Sequence, residues 1–293
     1  MKKNINILKK IIIGTAQLSN NYGIFNEKGS IKDKQLKTIL NYCQKKNILY
    51  LDLANSYKNS IHKLSKNNLL KFNIILKVGN IDKNNFLFSL KSILKKTLKK
   101  LKVKKIYSLM LHHESDIKYL KDKEVFQFFL NLKKKKIIKK IGISIYNFKT
   151  LGFNLNSFPI GLIQVPFNVL DQRILDKKLQ KIIIRKKVEV HARSIFLQGL
   201  LLQEPNIKQK IIQKNKLLFN NWHKFNECQQ EKKILNCIKF VSQFKVINKF
   251  IFGINSIDQL KTIVRIIKDI DYKNKLYYKF EPKSNKIIDP RLW

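Results

Sequence analysis

Short runs of consecutive apolar residues recur along the chain and alternate with segments in which apolar residues and lysines are mixed. Strands buried on both faces give near-continuous apolar runs, whereas half-buried strands alternate between apolar and polar positions. Eight such runs are present, at 11–16, 48–54, 72–79, 106–112, 141–146, 161–167, 188–195 and 250–255. The pattern therefore predicts eight buried strands.

The segments between these runs have helical periodicity. One example follows the spacing of a single helical face and consists of Leu36, Ile39, Leu40 and Cys43. Ser30 with Asp33 has the spacing of a capping box before this helix, and Ser256 with Gln259 has the same spacing after the eighth run. A helix amino terminus is thus expected directly after the last strand, where it suits a phosphate group.

Eight alternating strands and helices predict an α/β fold, a closed parallel (β/α)8 TIM barrel with its functional groups at the carboxyl ends of the strands. An open doubly wound sheet is the alternative, but the first run is not followed by the G-x-G-x-x-G turn of a dinucleotide-binding sheet. Barrels of about 250 residues commonly form one unit, so we predict a single domain over 1–293. The longest connection is expected as a loop at about 200–222.

The formal net charge of +42 raises the question of a nucleic-acid partner. Only five of the 61 basic residues are arginine, the side chain favoured for bidentate phosphate and base contacts. Lysine runs such as 133–136 alternate with apolar residues at helical spacing, as expected of solvated helix surfaces. The lysine content is attributed to AT-rich coding, and no specific nucleic-acid partner is predicted.

Two further observations bear on compartment and metal content. The apolar run at 11–13 follows a basic start but is too short for a signal peptide or a membrane span. The three cysteines do not have the spacing of a disulfide framework or a zinc site. We therefore expect a cytoplasmic protein without a membrane segment or metal site; the sequence does not indicate its oligomeric state.

Four ionisable residues fall at the ends of successive predicted strands: Asp52, Tyr57, Lys77 and His112. In a barrel these strand ends converge. A tyrosine beside a cation can protonate a carbonyl oxygen that receives a hydride, and Lys77 is the candidate cation. A buried ammonium needs a partner, for which Asp52 on the adjacent strand is available, and a neutral His112 can donate a second hydrogen bond to the same oxygen.

The other histidines are assigned structural roles. His113 adjoins His112, and alternation along a strand is expected to turn the two side chains to opposite sides. His191 on the seventh run is expected to be a hydrogen-bonded core histidine. His62 and His223 lack acidic or cysteine neighbours at metal-binding spacing.

Strings spread over nearly the whole chain resemble the aldo/keto reductase superfamily. They include GTA at 14–16, DLANSY at 52–57, LK at 76–77, LMLH at 109–112 and IQVPFN at 163–168. More specifically, the chain resembles a bacterial branch of this superfamily that is often found with surface-polysaccharide and nucleotide-sugar genes. The strings that carry this resemblance are GTAQLSNNYGIFNEKG, IGISIYN, QVPFNVLDQR, RSIFLQGLLL and the terminal DPRLW. The resemblance selects His112 over His113 and implies the same roles for the four ionisable residues.

The resemblance also implies a nicotinamide cofactor, NADP or NAD. It places Gln164 at the carboxamide, Ser144 near the ring, and Arg193 where many relatives have a tyrosine that stacks on nicotinamide. The segment that wraps the adenosine end of the cofactor would comprise Gly253, Ile254, Asn255, Ser256 and Gln259.

Two departures from the family pattern concern the cofactor. Relatives selective for a 2′-phosphate often carry lysine and arginine where this chain has Gly253 and Gln259, so the choice between NADP and NAD stays open. A glutamate that usually follows the catalytic tyrosine is missing, because residues 58–61 read Lys-Asn-Ser-Ile.

The function predicted from these features is NAD(P)H-dependent reduction of a small-molecule aldehyde or ketone, with Tyr57 as general acid. A sugar-derived carbonyl compound is one candidate substrate. The alternative is a barrel that binds the cofactor in a regulatory role without turnover. A nucleic-acid-binding protein is a third class, which strongly salt-dependent association would reveal.

Overall fold

The computed structural model describes residues 7–19, 29–57, 59–205, 210–271, 274–276 and 286–293. Its centre is a closed barrel in which each strand pairs in parallel with the next and the eighth pairs with the first. The strands are β1 Ile11–Gly14, β2 Tyr50–Ala54, β3 Asn73–Val78, β4 Ile106–Leu111, β5 Ile138–Ser144, β6 Leu162–Pro166, β7 Glu189–Arg193 and β8 Lys249–Gly253. The predicted (β/α)8 barrel is confirmed.

Helices surround the barrel and cover its outer face. They are α1 Asp33–Lys45, α2 Ser60–Ser65, α3 Phe86–Leu101, α4 Lys123–Lys134, α5 Leu151–Ser157, α6 Lys177–Arg185, α7 Lys210–Gln213, α8 Lys216–Phe225, α9 Gln230–Ser242 and α10 Ile257–Asp269. Short 3-10 segments occur at Ala16–Leu18, Glu114–Lys121, Arg173–Leu175, Leu197–Leu202 and Pro290–Leu292. Within the described residues, no helix is long and apolar enough to cross a membrane.

The core has two parts. The larger lies between strands and helices, and it includes the predicted apolar face of α1. The smaller fills the barrel interior with Ile12, Ile75, Tyr107, Met110, Leu162 and Ile251. Because these side chains close the interior, the carboxyl ends of the strands form the floor of an open site rather than the mouth of a pore.

One predicted helix cap is wrong and the other is confirmed. Helix α1 begins at Asp33 without a side-chain cap, and the Ser30 hydroxyl instead donates to the Leu18 carbonyl. At α10, Ser256 Oγ accepts a hydrogen bond of 3.2 Å from the Gln259 amide. The Gln259 side chain in turn accepts from the Asn255 amide at 2.7 Å. Helix α10 therefore starts directly after β8, as predicted.

The segment expected as a long loop at about 200–222 is partly helical. Residues Lys210–Gln213 and Lys216–Phe225 form helices, while 206–209 lie outside the described residues. Ile212 on α7 is buried, and Phe219 and Trp222 on α8 are buried at the i, i+3 spacing of a helix, which the loop prediction overlooked.

Candidate active site

Asp52, Lys77 and Tyr57 form one hydrogen-bonded cluster at the carboxyl end of the barrel. Asp52 lies on β2, Lys77 on the adjacent β3, and Tyr57 three residues beyond the end of β2. Lys77 Nζ is 2.7 Å from Asp52 Oδ2 and donates a hydrogen bond of 3.0 Å to the Tyr57 hydroxyl. The ammonium therefore connects a carboxylate to a phenol, as the order of these residues on adjacent strands predicts.

The environment of Lys77 keeps its charge. The side chain is only 4% exposed, and burial by itself lowers the pKa of a lysine. The opposing attraction of Asp52 and Tyr57 outweighs burial and raises the pKa of Lys77 above its ordinary value. Lys77 thus remains an ammonium that can stabilise negative charge on the Tyr57 oxygen.

The turn that carries Tyr57 is fixed to β3 through Asn55. Asn55 Nδ2 donates to the Gly79 carbonyl at 2.9 Å, and the Gly79 backbone amide donates back to Asn55 Oδ1 at 2.8 Å. Tyr57 itself is half-buried, and its backbone amide donates to the Ala54 carbonyl. The phenol is therefore both held in place and partly accessible. Lys58 lies outside the described residues, whereas Asn59 follows the turn with positive φ.

His112 lies beside Tyr57, just after β4 ends at Leu111. The two ring centroids are 6.1 Å apart and nearly perpendicular. Burial, assisted by the positive charges of Lys77, His113 and Arg193, lowers the pKa of His112 to about 3. The imidazole is therefore neutral at physiological pH and able to donate a hydrogen bond, with Ser56 Oγ 3.4 Å from its Nδ1.

The expected opposite orientation of His112 and His113 is wrong. Their rings are stacked, with centroids 5.2 Å apart and an interplanar angle of 19°. Strand alternation does not apply because both residues follow the end of β4. The absence of a side chain at Gly79 allows this approach, since a Cβ there would lie 3.0 Å from His112 Cβ. His112 is half-buried and His113 is exposed, so the two differ in depth rather than direction.

Gln164 is linked to the cluster from the opposite side of the barrel. Its Nε2 donates a hydrogen bond of 2.6 Å to Asp52 Oδ1, and its side chain is fully buried. Gln164 Oε1 is also buried and accepts no hydrogen bond within the described part of the chain. Ser144 on β5 is buried and pairs in register with Gln164. Ser144 and Gln164 therefore lie at the same level of the barrel, on the adjacent strands β5 and β6.

Arg193, the last residue of β7, stacks on a tyrosine of this protein. Its guanidinium carbon lies 3.8 Å from the centroid of the Tyr146 ring, and Nη2 donates to the Ile145 carbonyl at 3.0 Å. Arg291 lies against the same ring at 3.5 Å. The carboxyl-terminal DPRLW segment therefore packs beside the end of β5.

The segment predicted for the adenosine side begins at the end of β8, next to β1. Gly253 pairs with Gly14, and a Cβ at Gly253 would lie 2.0 Å from Gln17 Nε2. Gln17 Oε1 and Asn255 Oδ1 are buried without a hydrogen-bond partner among the described residues. Ile254 is buried, and Ser256 and Gln259 form the cap of α10. The segment thus combines unsatisfied acceptors with a helix amino terminus.

Several residues at this end of the barrel were not selected from the sequence. Gln17, Tyr146 and Arg291 occur in strings that carried the family resemblance, but no individual role followed from them. The signal for Arg291 was the scarcity of arginine itself, because Arg173, Arg193 and Arg291 are three of only five in the chain. Among the described residues, no group of three or more His, Cys, Asp or Glu side chains is placed to hold a metal ion.

The fold and this cluster define a (β/α)8 barrel with a buried carboxylate–lysine–tyrosine site at the carboxyl ends of its strands. The aldo/keto reductase family model matches residues 10–277. The chain belongs to the aldo/keto reductase family, and this membership supports an oxidoreductase acting on carbonyl compounds.

Solved structures share the fold at low sequence identity. An aldo-keto reductase from Bacillus halodurans in its holo form is 20% identical, with a TM-score of 0.70, covering 92% of this chain and 88% of that one. A Pseudomonas aeruginosa protein assigned to the aldo-keto reductases is 15% identical, with a TM-score of 0.63 and coverages of 88% and 89%. No curated protein gives a significant match.

Proposed function

We propose that this chain, as one domain of residues 1–293, reduces an aldehyde or ketone to an alcohol with NADPH or NADH. The observation that carries the proposal is the position of Lys77 Nζ, within hydrogen-bonding distance of both Asp52 and the Tyr57 hydroxyl. A partly accessible phenol beside a permanent cation is suited to proton donation. A sugar-derived carbonyl compound, in keeping with the bacterial branch that the sequence resembles, is the proposed substrate.

The contacts of the four residues support a role for each of them. Tyr57 would protonate the carbonyl oxygen, and Lys77 would stabilise the phenolate that remains. Asp52 keeps Lys77 charged and in place. His112, neutral because of its low pKa, would donate a hydrogen bond to the same oxygen without adding a charge. A bound reduced nicotinamide would supply the hydride for the carbonyl carbon.

The residues present fit a nicotinamide cofactor. Four buried polar atoms have no partner within the described residues and belong to strands or to the segments that follow them: Gln17 Oε1, Gln164 Oε1, Arg193 Nε and Asn255 Oδ1. Buried polar atoms are rarely left unsatisfied in native proteins, so a polar ligand is expected to complete them. We assign Gln164, Ser144 and Arg193 to the nicotinamide side, and Gly253, Ile254, Asn255, Ser256 and Gln259 to the adenosine side.

The proposal is tested by measuring cofactor binding and turnover separately. Titration with NADPH and NADH, followed by quenching of intrinsic fluorescence, gives the affinity of wild type, Tyr57→Phe and a control, Tyr42→Phe, on α1. Carbonyl-dependent oxidation of the bound cofactor is then measured with a panel of aldehydes and ketones. We expect Tyr57→Phe to bind cofactor normally and to lose turnover by at least about 100-fold, the contribution typical of a general acid.

Two outcomes would contradict the proposal. Failure of both cofactors to bind at millimolar concentration would remove the reductase assignment altogether. Tight binding without turnover of any carbonyl compound by wild type would favour a regulatory barrel. The Tyr42→Phe control should match wild type in both measurements.

A further inference from the structure

Three of the five arginines of this lysine-rich chain meet at Tyr146, beyond the end of β5. Arg193 and Arg291 contact its ring, and Arg173 Nη1 donates to its backbone carbonyl at 3.0 Å. Lysine supplies positive charge nearly everywhere else, but it lacks the planar group that stacks on a ring and binds two oxygens at once. The presence of arginine rather than lysine at these positions therefore indicates that a planar group with several N–H donors is required there.

These three arginines differ in their acidic partners. Arg173 pairs with Asp171 at 2.7 Å, and Arg291 pairs with Asp289 at 2.5 Å. Arg193 has no carboxylate within 4 Å among the described residues. Its hydrogen bonds go to the Ile145 carbonyl and, at 3.5 Å, to Ser194 Oγ.

Arg193 is also incompletely hydrogen-bonded. Its Nε is buried and donates to no acceptor in the described part of the chain. Glu114 Oε2 accepts hydrogen bonds from the Tyr146 and Asn147 amides, and within the described residues this carboxylate forms no ion pair with Arg193. A half-buried guanidinium with an unused donor is best completed by an anionic oxygen from a ligand.

The position of Arg193 relates this unpaired charge to the reaction centre. It terminates β7, and its charge is among those that lower the pKa of His112. Arg193 borders, from the end of β7, the same carboxyl-terminal face of the barrel that carries Tyr57 and His112. A short substrate whose carbonyl oxygen is held by Tyr57 and His112 would extend over this face. Within the described residues, no protein carboxylate is paired with Arg193 to neutralise its positive charge.

We propose that Arg193 binds a carboxylate or phosphate group of the carbonyl substrate, so that the enzyme prefers anionic aldehydes or ketones over neutral ones of the same size. This inference rests on the proposed reductase function. It is compatible with a nicotinamide lying near Arg193, because the face of the guanidinium and its N–H edge can serve different groups. The alternative source of the same chemistry is a phosphate of the cofactor.

Tyr146 and Arg291 would act as positioning residues for Arg193. Both guanidinium groups lie over the Tyr146 ring, with the guanidinium carbon of Arg193 3.8 Å and that of Arg291 3.5 Å from the ring centroid. Stacking fixes the plane of a guanidinium and so the direction of its donors. Removal of the ring should weaken anion binding less than removal of the charge.

The test compares two aldehydes of nearly equal size, 4-carboxybenzaldehyde and 4-nitrobenzaldehyde, of which only the first is charged. A second pair, glyceraldehyde 3-phosphate and glyceraldehyde, examines phosphate. Each is measured with wild type, Arg193→Met, Arg193→Lys, Tyr146→Leu and the control Arg185→Met on α6. NADPH affinity is determined for every variant. Binding of 4-carboxybenzaldehyde to protein loaded with NADP⁺ is measured by calorimetry, which does not require turnover.

We expect wild type to prefer the anionic member of at least one pair, and Arg193→Met to lose about 30-fold in kcat/KM for that member, mainly through KM. The neutral member should lose less than the anionic one, and only to the extent that Arg193→Met weakens nicotinamide binding, which the NADPH titration measures separately. Arg193→Lys should retain part of the preference, and Arg185→Met should match wild type. Unchanged selectivity in Arg193→Met, or an equal loss for both members with a matching loss of NADPH affinity, would overturn the proposal. If wild type reduces none of these four aldehydes, the calorimetric comparison of wild type with Arg193→Met decides whether Arg193 binds the carboxylate, while the proposed function is judged by the cofactor titration and the wider carbonyl panel.

Discussion

Gln164 and Asp52 are joined by a hydrogen bond of 2.6 Å across the barrel interior, from Nε2 on β6 to Oδ1 on β2. Asp52 thereby has one oxygen bonded to Gln164 and the other to Lys77. Under the proposed function, Gln164 also contacts the cofactor, because its buried Oε1 would accept a hydrogen bond from the nicotinamide carboxamide. The Gln164 side chain would therefore both bind the cofactor and hold the Asp52 carboxylate in position.

Gln164→Leu should destabilise the protein and weaken the cofactor site together. Loss of Nε2 leaves Asp52 Oδ1 buried without this donor, which costs about 1–3 kcal/mol in the free energy of unfolding. Urea denaturation measures that loss, and NADPH titration measures the affinity, which should fall. Gln127→Met removes an exposed glutamine on α4 and serves as the control. A variant as stable as wild type would show that Asp52 does not depend on this bond.

Lys77→Met is expected to destabilise the protein because it leaves Asp52 as a buried, uncompensated carboxylate. The expected loss is about 3–5 kcal/mol. Adding Asp52→Asn should restore most of this stability, while turnover stays absent because no cation remains beside Tyr57. The comparison separates the structural ion pair from the catalytic role.

A matched control exists on the surface. Lys66 pairs with Asp33 at 2.6 Å, but both side chains are 48% exposed. Lys66→Met should leave the free energy of unfolding close to that of wild type, because solvent screens this exposed pair. If the double variant Asp52→Asn, Lys77→Met kept wild-type turnover, the assigned role of Lys77 would be wrong.

The sequence was sufficient for the architecture and for part of the site. Apolar runs report strands buried on both faces, and their number and alternation with helices indicate a barrel. The Asp52–Lys77 pair was also predictable, since adjacent parallel strands bring their ends together. These inferences depend only on local burial and on chain order.

The remaining contacts depend on where strands stop and how the barrel closes. The end of β4 at Leu111 allows His112 and His113 to stack, contrary to the expected alternation. The Gln164–Asp52 bond joins strands from opposite sides of the barrel, and Arg291 reaches Tyr146 from the far end of the chain. Periodicity carries no information about such distant pairs, so only the closed structure reveals them.

Glu189 should make stability pH-dependent at the amino-terminal end of the barrel. It accepts hydrogen bonds from Tyr107 at 2.5 Å and His191 at 2.7 Å, and Lys140 Nζ lies 2.8 Å away. Burial raises the pKa of this carboxyl, but these partners outweigh burial and hold the pKa well below its ordinary value of 4.5. The ionised form is therefore favoured by folding, and its contribution is fully present above pH 4.5 and lost progressively as the pH falls below it.

Glu189→Gln is the corresponding variant. Its free energy of unfolding should be lower than that of wild type by about 3 kcal/mol at pH 7, and the difference should shrink between pH 4.5 and pH 3. Urea denaturation at a series of pH values measures this, with the exposed Glu124→Gln as control. A difference that does not vary with pH would mean that Glu189 has no lowered pKa in the folded state.

Gly253→Ala tests the proposed adenosine side of the cofactor site without disturbing the catalytic cluster. A Cβ at this position would lie 2.0 Å from Gln17 Nε2, so the Gln17 side chain has to move, whereas no backbone atom is that close. Stability should change by less than about 1 kcal/mol, since Gly253 is exposed and does not require positive φ. NADPH affinity, however, should fall by about tenfold if Gln17 and the start of α10 contact the cofactor.

Gly161→Ala is the matched control, because its new Cβ would meet only the Lys140 side chain at 3.9 Å. Equal NADPH affinity in wild type, Gly253→Ala and Gly161→Ala would place the cofactor away from β8 and withdraw the assignment of this segment.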